Sequence, residues 1–168
     1  DVVVSAGGGA AGRDLAKAAV AAARDSSASR RWCLITGPNL PQADFDAAAA
    51  AAPAHLALFR FRKDFPALLA AAELSVSQSG YNTVGDVLQA GCRAVYVPFA
   101  AGGETEQTVR AGRLRRLGLA TMIPEDALTP QRLAAAVEAG LAGPRPPSHR
   151  LDLDGARKSA AILRRLVD

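Results

Sequence analysis

The chain has 168 residues and a formal net charge of +4, and 49% of its residues are hydrophobic although only 5% are aromatic. This length fits one domain with its own core, and the modest charge, without a basic run interleaved with aromatics, argues against a nucleic-acid-binding protein. The sequence has no apolar run long enough to span a membrane and no signal-peptide pattern. With Cys33 and Cys92 expected as free thiols, these features predict a cytoplasmic protein.

Short apolar runs alternate with helical patterns along the chain, beginning directly in a strand without an initiating Met. That beginning is typical of a domain cut from a longer polypeptide. The predicted strands are 2–4, 31–36, 55–59, 74–77, 93–97 and 119–123, and the predicted helices are 13–24, 42–52, 65–72, 83–90, 104–117, 130–140 and 154–167. Asp64 and Thr129 are the candidate N-caps of the third and sixth helices.

This alternation predicts an α/β fold, a doubly wound Rossmann-like domain of about six parallel strands with helices on both faces. Residues 1–144 are expected to form the domain, and residues 145–168 a linker and a C-terminal amphipathic helix. In such sheets, ligands bind at the carboxyl ends of the strands, where the loops that follow neighbouring strands converge.

A glycine turn follows the first strand, and Gly7, Gly9 and Gly12 match the GxGxxG pattern of dinucleotide-binding sites. That pattern calls for an acidic residue at the end of the second strand, where this chain has Ile35-Thr36-Gly37-Pro38. An NAD-type dinucleotide-dependent oxidoreductase is therefore one alternative, and glycines that only permit a tight turn are another.

A second small polar turn, Ser79-Gly80-Tyr81-Asn82-Thr83, separates the fourth strand from the next helix. It offers hydroxyl groups, a glycine for close approach and backbone N–H groups at a helix start, a combination that favours phosphate binding. Asp86, about one turn further on, is placed to accept hydrogen bonds from a ribose diol. An ordinary capped helix is the alternative interpretation of this turn.

Other polar residues give weaker signals. Glu106 and Gln107 open a helix and could bind sugar hydroxyls, although acidic residues are common in a first helical turn. Arg13 could reach a phosphate or only solvent. His55 and His149 have no partner at triad or ligand spacing, and the sequence carries no GxSxG elbow, Walker A lysine or zinc motif.

Four segments together, 4–9, 77–84, 97–99 and 104–111, resemble the C-terminal domain of family 28 glycosyltransferases, and the resemblance extends from residue 2 to about residue 141. The resemblance implies a two-domain GT-B enzyme. Its C-terminal half binds a nucleotide-sugar donor, typically UDP-linked, and its N-terminal half, which lies outside this chain, binds the acceptor.

By position, the resemblance implies distinct roles for parts of the donor site. Gly8 and Gly9 would face the diphosphate, Asp86 would hold the ribose where relatives often have Glu, and Glu106 stands where relatives have Gln. The full set of implied donor-binding residues is Gly8, Gly9, Arg62, Phe65, Ser79, Gly80, Tyr81, Asn82, Thr83, Asp86, Glu106 and Gln107. In this set Arg62 and Phe65 would border the nucleotide base. Tyr81–Thr83 would supply backbone N–H groups to the phosphates, and Glu106 and Gln107 would contact the donor sugar.

The resemblance also bounds the chemistry. Helix N-termini can stabilise a leaving diphosphate without a metal or other cofactor, so no metal is expected in the donor site. The catalytic base is expected on the N-terminal domain, as is any peripheral membrane contact, so this chain should bind donor and be inactive alone. A non-catalytic sugar-nucleotide binding module is the remaining alternative.

Overall fold

The computed structural model describes residues 1–7 and 12–167 of the chain. Its sheet has six strands, all parallel, in the order β3-β2-β1-β4-β5-β6. This confirms the predicted doubly wound sheet. The strands are β1 (Val2–Ser5), β2 (Trp32–Ile35), β3 (Leu56–Phe59), β4 (Leu74–Ser77), β5 (Arg93–Tyr96) and β6 (Thr121–Met122).

Helices cover both faces of the sheet, as predicted. The helices are α1 (Gly12–Arg24), α2 (Gln42–Ala51), α3 (Phe65–Ala71), α4 (Tyr81–Ala90), α5 (Glu106–Arg116), α6 (Pro130–Ala142) and α7 (Gly155–Val167). One core joins α1, α2 and α6 to Val2, Val4 and Val76, and the other joins α3, α4 and α5 to Val3 and Tyr96. Residues of one strand thus alternate between two apolar layers, which explains why the strands are almost wholly apolar.

Alanine allows close packing in the layer of helices formed by α1, α2 and α6. The buried face of α1 carries five alanines beside Leu15 and Val20, and α1 packs against α6. In α6, a Cβ added to Gly140 would lie 2.3 Å from Leu74 Cδ1, so the helix approaches the sheet closely there. The alanines of α1 therefore serve close packing, whereas α2 buries only Ala48 of its alanines.

The clearest differences from the predicted bounds are the starts of two helices and the length of one strand. Helix α4 begins at Tyr81, two residues early, because Gly80 is an extended N-cap (φ −60°, ψ 151°) and the helix starts directly after it. Helix α5 begins at Glu106, because Gly102 and Gly103 have positive φ and Glu104 is extended. Strand β6 is reduced to Thr121–Met122.

The two predicted caps have different outcomes. The Thr129 side chain accepts a hydrogen bond from Arg132 N and caps α6, which confirms that prediction. Asp64 occupies the N-cap position of α3 but makes no capping hydrogen bond. Its carboxylate binds the Arg62 guanidinium instead, so the predicted N-cap position is confirmed but the side chain does not cap the helix.

Helices in the described ranges 1–7 and 12–167 are all too short or too polar to cross a lipid bilayer.

Candidate functional site

The strand order reverses between β1 and β4, which are neighbours although the chain visits β2 and β3 between them. Their registers pair Ser5 with Ser77, so the two strands end side by side. The turns that follow touch, since a Cβ on Gly7 (φ +77°) would lie 2.3 Å from Gln78 Oε1. The predicted convergence of these turns is therefore present at the switch point, where doubly wound sheets bind ligands.

Backbone N–H groups at the start of α4 lie at this switch point. The first hydrogen bond of the helix runs from Val84 N to Gly80 O at 3.0 Å, so Tyr81, Asn82 and Thr83 precede it and have no acceptor within the helix. A Cβ on Gly80 would meet nothing within 4 Å, which leaves open space above the helix end. This end can receive an anion.

Ser79 lies beneath that turn. It is 0% exposed, and its hydroxyl donates to the backbone oxygen of Gln107 at 2.9 Å. The hydroxyl proton of Ser79 is therefore committed to α5, and the expected part of Ser79 in donor binding stays a prediction. Tyr81 is 75% exposed, with the Arg110 guanidinium 5.7 Å from its ring centroid, so this side chain lies towards α5.

Asp86 follows Asn82 by one helical turn, so the two residues lie on the same side of α4. Asp86 is half-buried, and its carboxylate has no partner among the described hydrogen bonds and ion pairs. A ligand that bound the N–H groups of Asn82 and Thr83 would extend along this side of the helix. The arrangement suits an anion that carries a vicinal diol about one helical turn away.

Glu106 and Gln107 occupy the first turn of α5. The Glu106 side chain is 71% exposed and pairs with Arg110, one turn further on. Gln107 accepts a hydrogen bond from Phe99 N through Oε1 at 3.3 Å, which ties it to the loop that follows β5. Both residues therefore lie at the carboxyl edge of the sheet, beside the turn before α4.

Arg62 and Phe65 lie further to the side, because β3 is the edge strand of the sheet. Arg62 stacks 4.6 Å above the ring of Phe59 and is paired with Asp64, and hydrogen bonding by Arg62 lowers the pKa of the Asp64 carboxyl. The ion pair is therefore intact at neutral pH and is lost as the pH falls through that lowered pKa. Since α3 packs on α4, Phe65 and Asp86 belong to helices that cover the same face of the sheet.

The remaining candidate residues either lie away from the turn before α4 or lie outside the described residues. Gly8 and Gly9 lie outside the described residues. Arg13 pairs with Asp44 on α2 at 2.8 Å. His55 bonds to Ala23 O at 2.8 Å, a structural contact. Within the described part of the chain, no group of three or more His, Cys, Asp or Glu residues could hold a metal ion.

Sequence reasoning missed a groove between α4 and α5. Its volume is about 940 Å³, and residues 151–153 of the C-terminal segment form one side. It also missed Arg110, which lines this groove and donates to Ser79 O at 2.7 Å. The only sequence signal for Arg110 was its spacing of four residues from Glu106, which predicts a helical ion pair and nothing about the turn.

The chain matches the glycosyltransferase family 28 C-terminal domain over residues 2–158. A stretch of 75 residues is 41% identical to the UDP-N-acetylglucosamine--N-acetylmuramyl-(pentapeptide) pyrophosphoryl-undecaprenol N-acetylglucosamine transferase of Methylorubrum populi. That match covers 45% of this chain and 20% of the relative. The chain therefore corresponds to only part of the curated relatives that it matches.

Solved structures resemble the whole domain. MurG of Acinetobacter baumannii superposes with a TM-score of 0.69 and 25% identity, over 83% of this chain and 40% of that one. A calicheamicin glycosyltransferase gives the same TM-score and identity, over 84% of this chain and 34% of its own. Both likenesses agree with the sheet order and the two helical layers described above.

Proposed function

The chain belongs to the glycosyltransferase family 28 C-terminal domains, and from this we propose that it is the donor-binding half of a glycosyltransferase of the GT-B fold. The donor is a sugar linked to a nucleoside diphosphate, with UDP as the expected nucleotide. Two of the proteins named above are sugar transferases, the Methylorubrum populi N-acetylglucosamine transferase and the calicheamicin glycosyltransferase, and the first is named for a UDP-linked sugar.

One observation carries the proposal. The unpaired N–H groups of Tyr81, Asn82 and Thr83 stand at the switch point beside the turn after β1, and Asp86 lies one turn along the same helix. Backbone donors suit the phosphates, and a carboxylate suits the ribose diol, because an ionised acceptor strengthens hydrogen bonds from hydroxyl groups. A carboxylate so close to a phosphate is favourable when a sugar separates them.

The same groups support a mechanism for the leaving group. As the bond between the sugar and the diphosphate breaks, negative charge grows on the diphosphate, and the N-terminus of α4 stabilises that charge. Backbone donors are fixed before the reaction, so little reorganisation is needed. This stabilisation requires no metal, and we expect binding of UDP to be the same in magnesium and in EDTA.

The other steps belong to the rest of the protein. The acceptor, and the base that removes a proton from its hydroxyl group, are assigned to an N-terminal domain outside this chain. Glu106 and Gln107 are the proposed contacts of the donor sugar. Arg62 and Phe65 are the proposed neighbours of the uracil ring of the nucleotide. On this proposal the 168-residue chain binds donor and does not transfer sugar alone.

A thermal-shift experiment separates this function from a dinucleotide-dependent oxidoreductase. The expected result is that 1 mM UDP raises the melting temperature by about 3–5 °C, whereas UMP gives a smaller shift and NAD none. UMP is the matched control because it lacks the second phosphate. Stabilisation by NAD with none by any nucleoside diphosphate would reject the proposal.

A further inference from the structure

Two hydrogen bonds join the turn before α4 to the first turns of α5. The Ser79 hydroxyl donates to Gln107 O at 2.9 Å, and Arg110 Nη1 donates to Ser79 O at 2.7 Å. Apolar side chains of both helices belong to the α3–α4–α5 core, but a groove separates the two helices along much of their length. These polar contacts therefore set the position of α5 relative to the α4 turn.

Arg110 has several partners at once. Besides Ser79 O, its guanidinium pairs with Glu106 and lies 5.7 Å from the centroid of the Tyr81 ring. Its side chain is only 19% exposed, so its charge is partly removed from water and its hydrogen bonds are stronger than those of a surface arginine. A guanidinium can bridge a carbonyl and a carboxylate because its donors diverge in one plane.

We propose that Arg110 is a positioning residue that, with Ser79, holds the sugar-contacting end of α5 in register with the phosphate-binding turn. This inference rests on the proposed function. Arg110 acts on Glu106 through the ion pair, and on the α4 turn through Ser79 O. The phosphates and the donor sugar are then bound at a fixed separation, and the domain distinguishes one donor sugar from another.

The register matters because recognition of a sugar depends on where single hydroxyl groups meet their partners. Displacement of a polar group by about 1 Å can cost as much as a hundredfold in a reaction that depends on orientation. The nucleotide itself is bound by α4 and does not need α5 in register. Loss of the bridge should therefore affect discrimination among sugars more than affinity for UDP.

The test measures dissociation constants by isothermal titration for UDP, UDP-N-acetylglucosamine, UDP-glucose and UDP-galactose. The proteins are the wild-type chain, Arg110→Gln, Ser79→Ala and the control Arg113→Gln, which removes a guanidinium from the same helix and groove. We expect the spread of affinities among the three sugar nucleotides to shrink about tenfold in Arg110→Gln and Ser79→Ala. The affinity of Arg110→Gln for UDP should stay within about threefold of wild type, and Arg113→Gln should keep the full spread.

Each other outcome has a definite meaning. The inference is overturned if the spread survives in both variants, if UDP affinity falls in step with it, or if the wild type does not distinguish the sugars. Failure of the wild type to bind any of the four ligands rejects the proposed function itself. Ser79→Ala tests the same bridge if Arg110→Gln does not fold. Arg110→Lys keeps the positive charge but replaces the planar guanidinium with a single ammonium nitrogen, so it should show an intermediate spread of affinities.

Discussion

At the scale of single residues, the proposed ribose contact of Asp86 is what would distinguish a nucleotide site from a simple anion site. Free N–H groups at a helix start bind many anions, including inorganic phosphate and sulfate. A carboxylate one turn along the same side of α4 repels those ions and suits only a ligand that presents hydroxyl groups there. Asp86 is thus the residue whose removal is most informative about the ligand.

Replacement of Asp86 by Ala should weaken UDP binding by about ten- to a hundredfold, because hydrogen bonds from both ribose hydroxyls to a charged acceptor are lost. Isothermal titration measures the change. Gln89→Ala is the matched control, since Gln89 is exposed on the same helix, lines the groove and should leave the affinity unchanged. An Asp86→Ala variant that binds UDP as tightly as the wild type would reject the ribose contact.

The cysteines report on burial at two positions of the sheet. Burial raises the pKa of both thiols, and that of Cys92, which is 2% exposed, reaches about 11. At pH 8 about a thousandth of a thiol with that pKa is thiolate, the form that reacts with iodoacetamide. We expect half-buried Cys33 to be labelled first, at a rate that still rises above pH 9, and Cys92 to be labelled only on unfolding.

Mass spectrometry of timed, alkylated samples tests this expectation. In 6 M guanidinium chloride both cysteines should react at similar rates, which serves as the control. Equal labelling in the native protein at pH 8 would contradict the packing described for Cys92.

At the scale of single elements, the start of α1 is more tightly constrained than the start of α4. A Cβ on Gly12 would lie 2.2 Å from Ala6 O, a backbone atom that cannot move without shifting β1. A Cβ on Gly85, inside α4, would meet nothing within 4 Å. The same substitution should therefore have opposite effects at the two glycines.

Gly12→Ala should lower the free energy of unfolding by about 3 kcal/mol, as expected for overpacking against a rigid neighbour. Gly85→Ala should raise it by about 0.5–1 kcal/mol, because alanine loses less backbone entropy in a helix. Urea unfolding followed by circular dichroism measures both. Equal destabilisation by the two substitutions would mean that the turn after β1 is not packed as described.

The elements were largely predictable and the contacts between them were not. Strand–helix alternation and local signals such as Thr129-Pro130 act over a few residues, so the sequence alone located all six strands and the seven helices. Asp64 is an example of a contact that local signals do not predict, since its carboxylate binds the guanidinium of Arg62 and does not cap the helix. Ser79 and Arg110 are further examples at the site, because their bonds join residues about thirty positions apart.

At the scale of the whole molecule, the proposal makes this chain the donor-binding half of a glycosyltransferase. On that proposal, the backbone N–H groups at the start of α4 bind the diphosphate, Asp86 binds the ribose, and Glu106 and Gln107 bind the sugar. The proposed acceptor site and base lie outside this chain, so the full-length protein should transfer sugar while this chain only binds the donor.

The most direct test is a crystal structure of this chain with UDP. The account predicts a phosphate within about 3 Å of the N–H groups of Asn82 and Thr83, and both ribose hydroxyls on the Asp86 carboxylate. A diphosphate bound away from the N-terminus of α4, or a ribose turned away from Asp86, would contradict it.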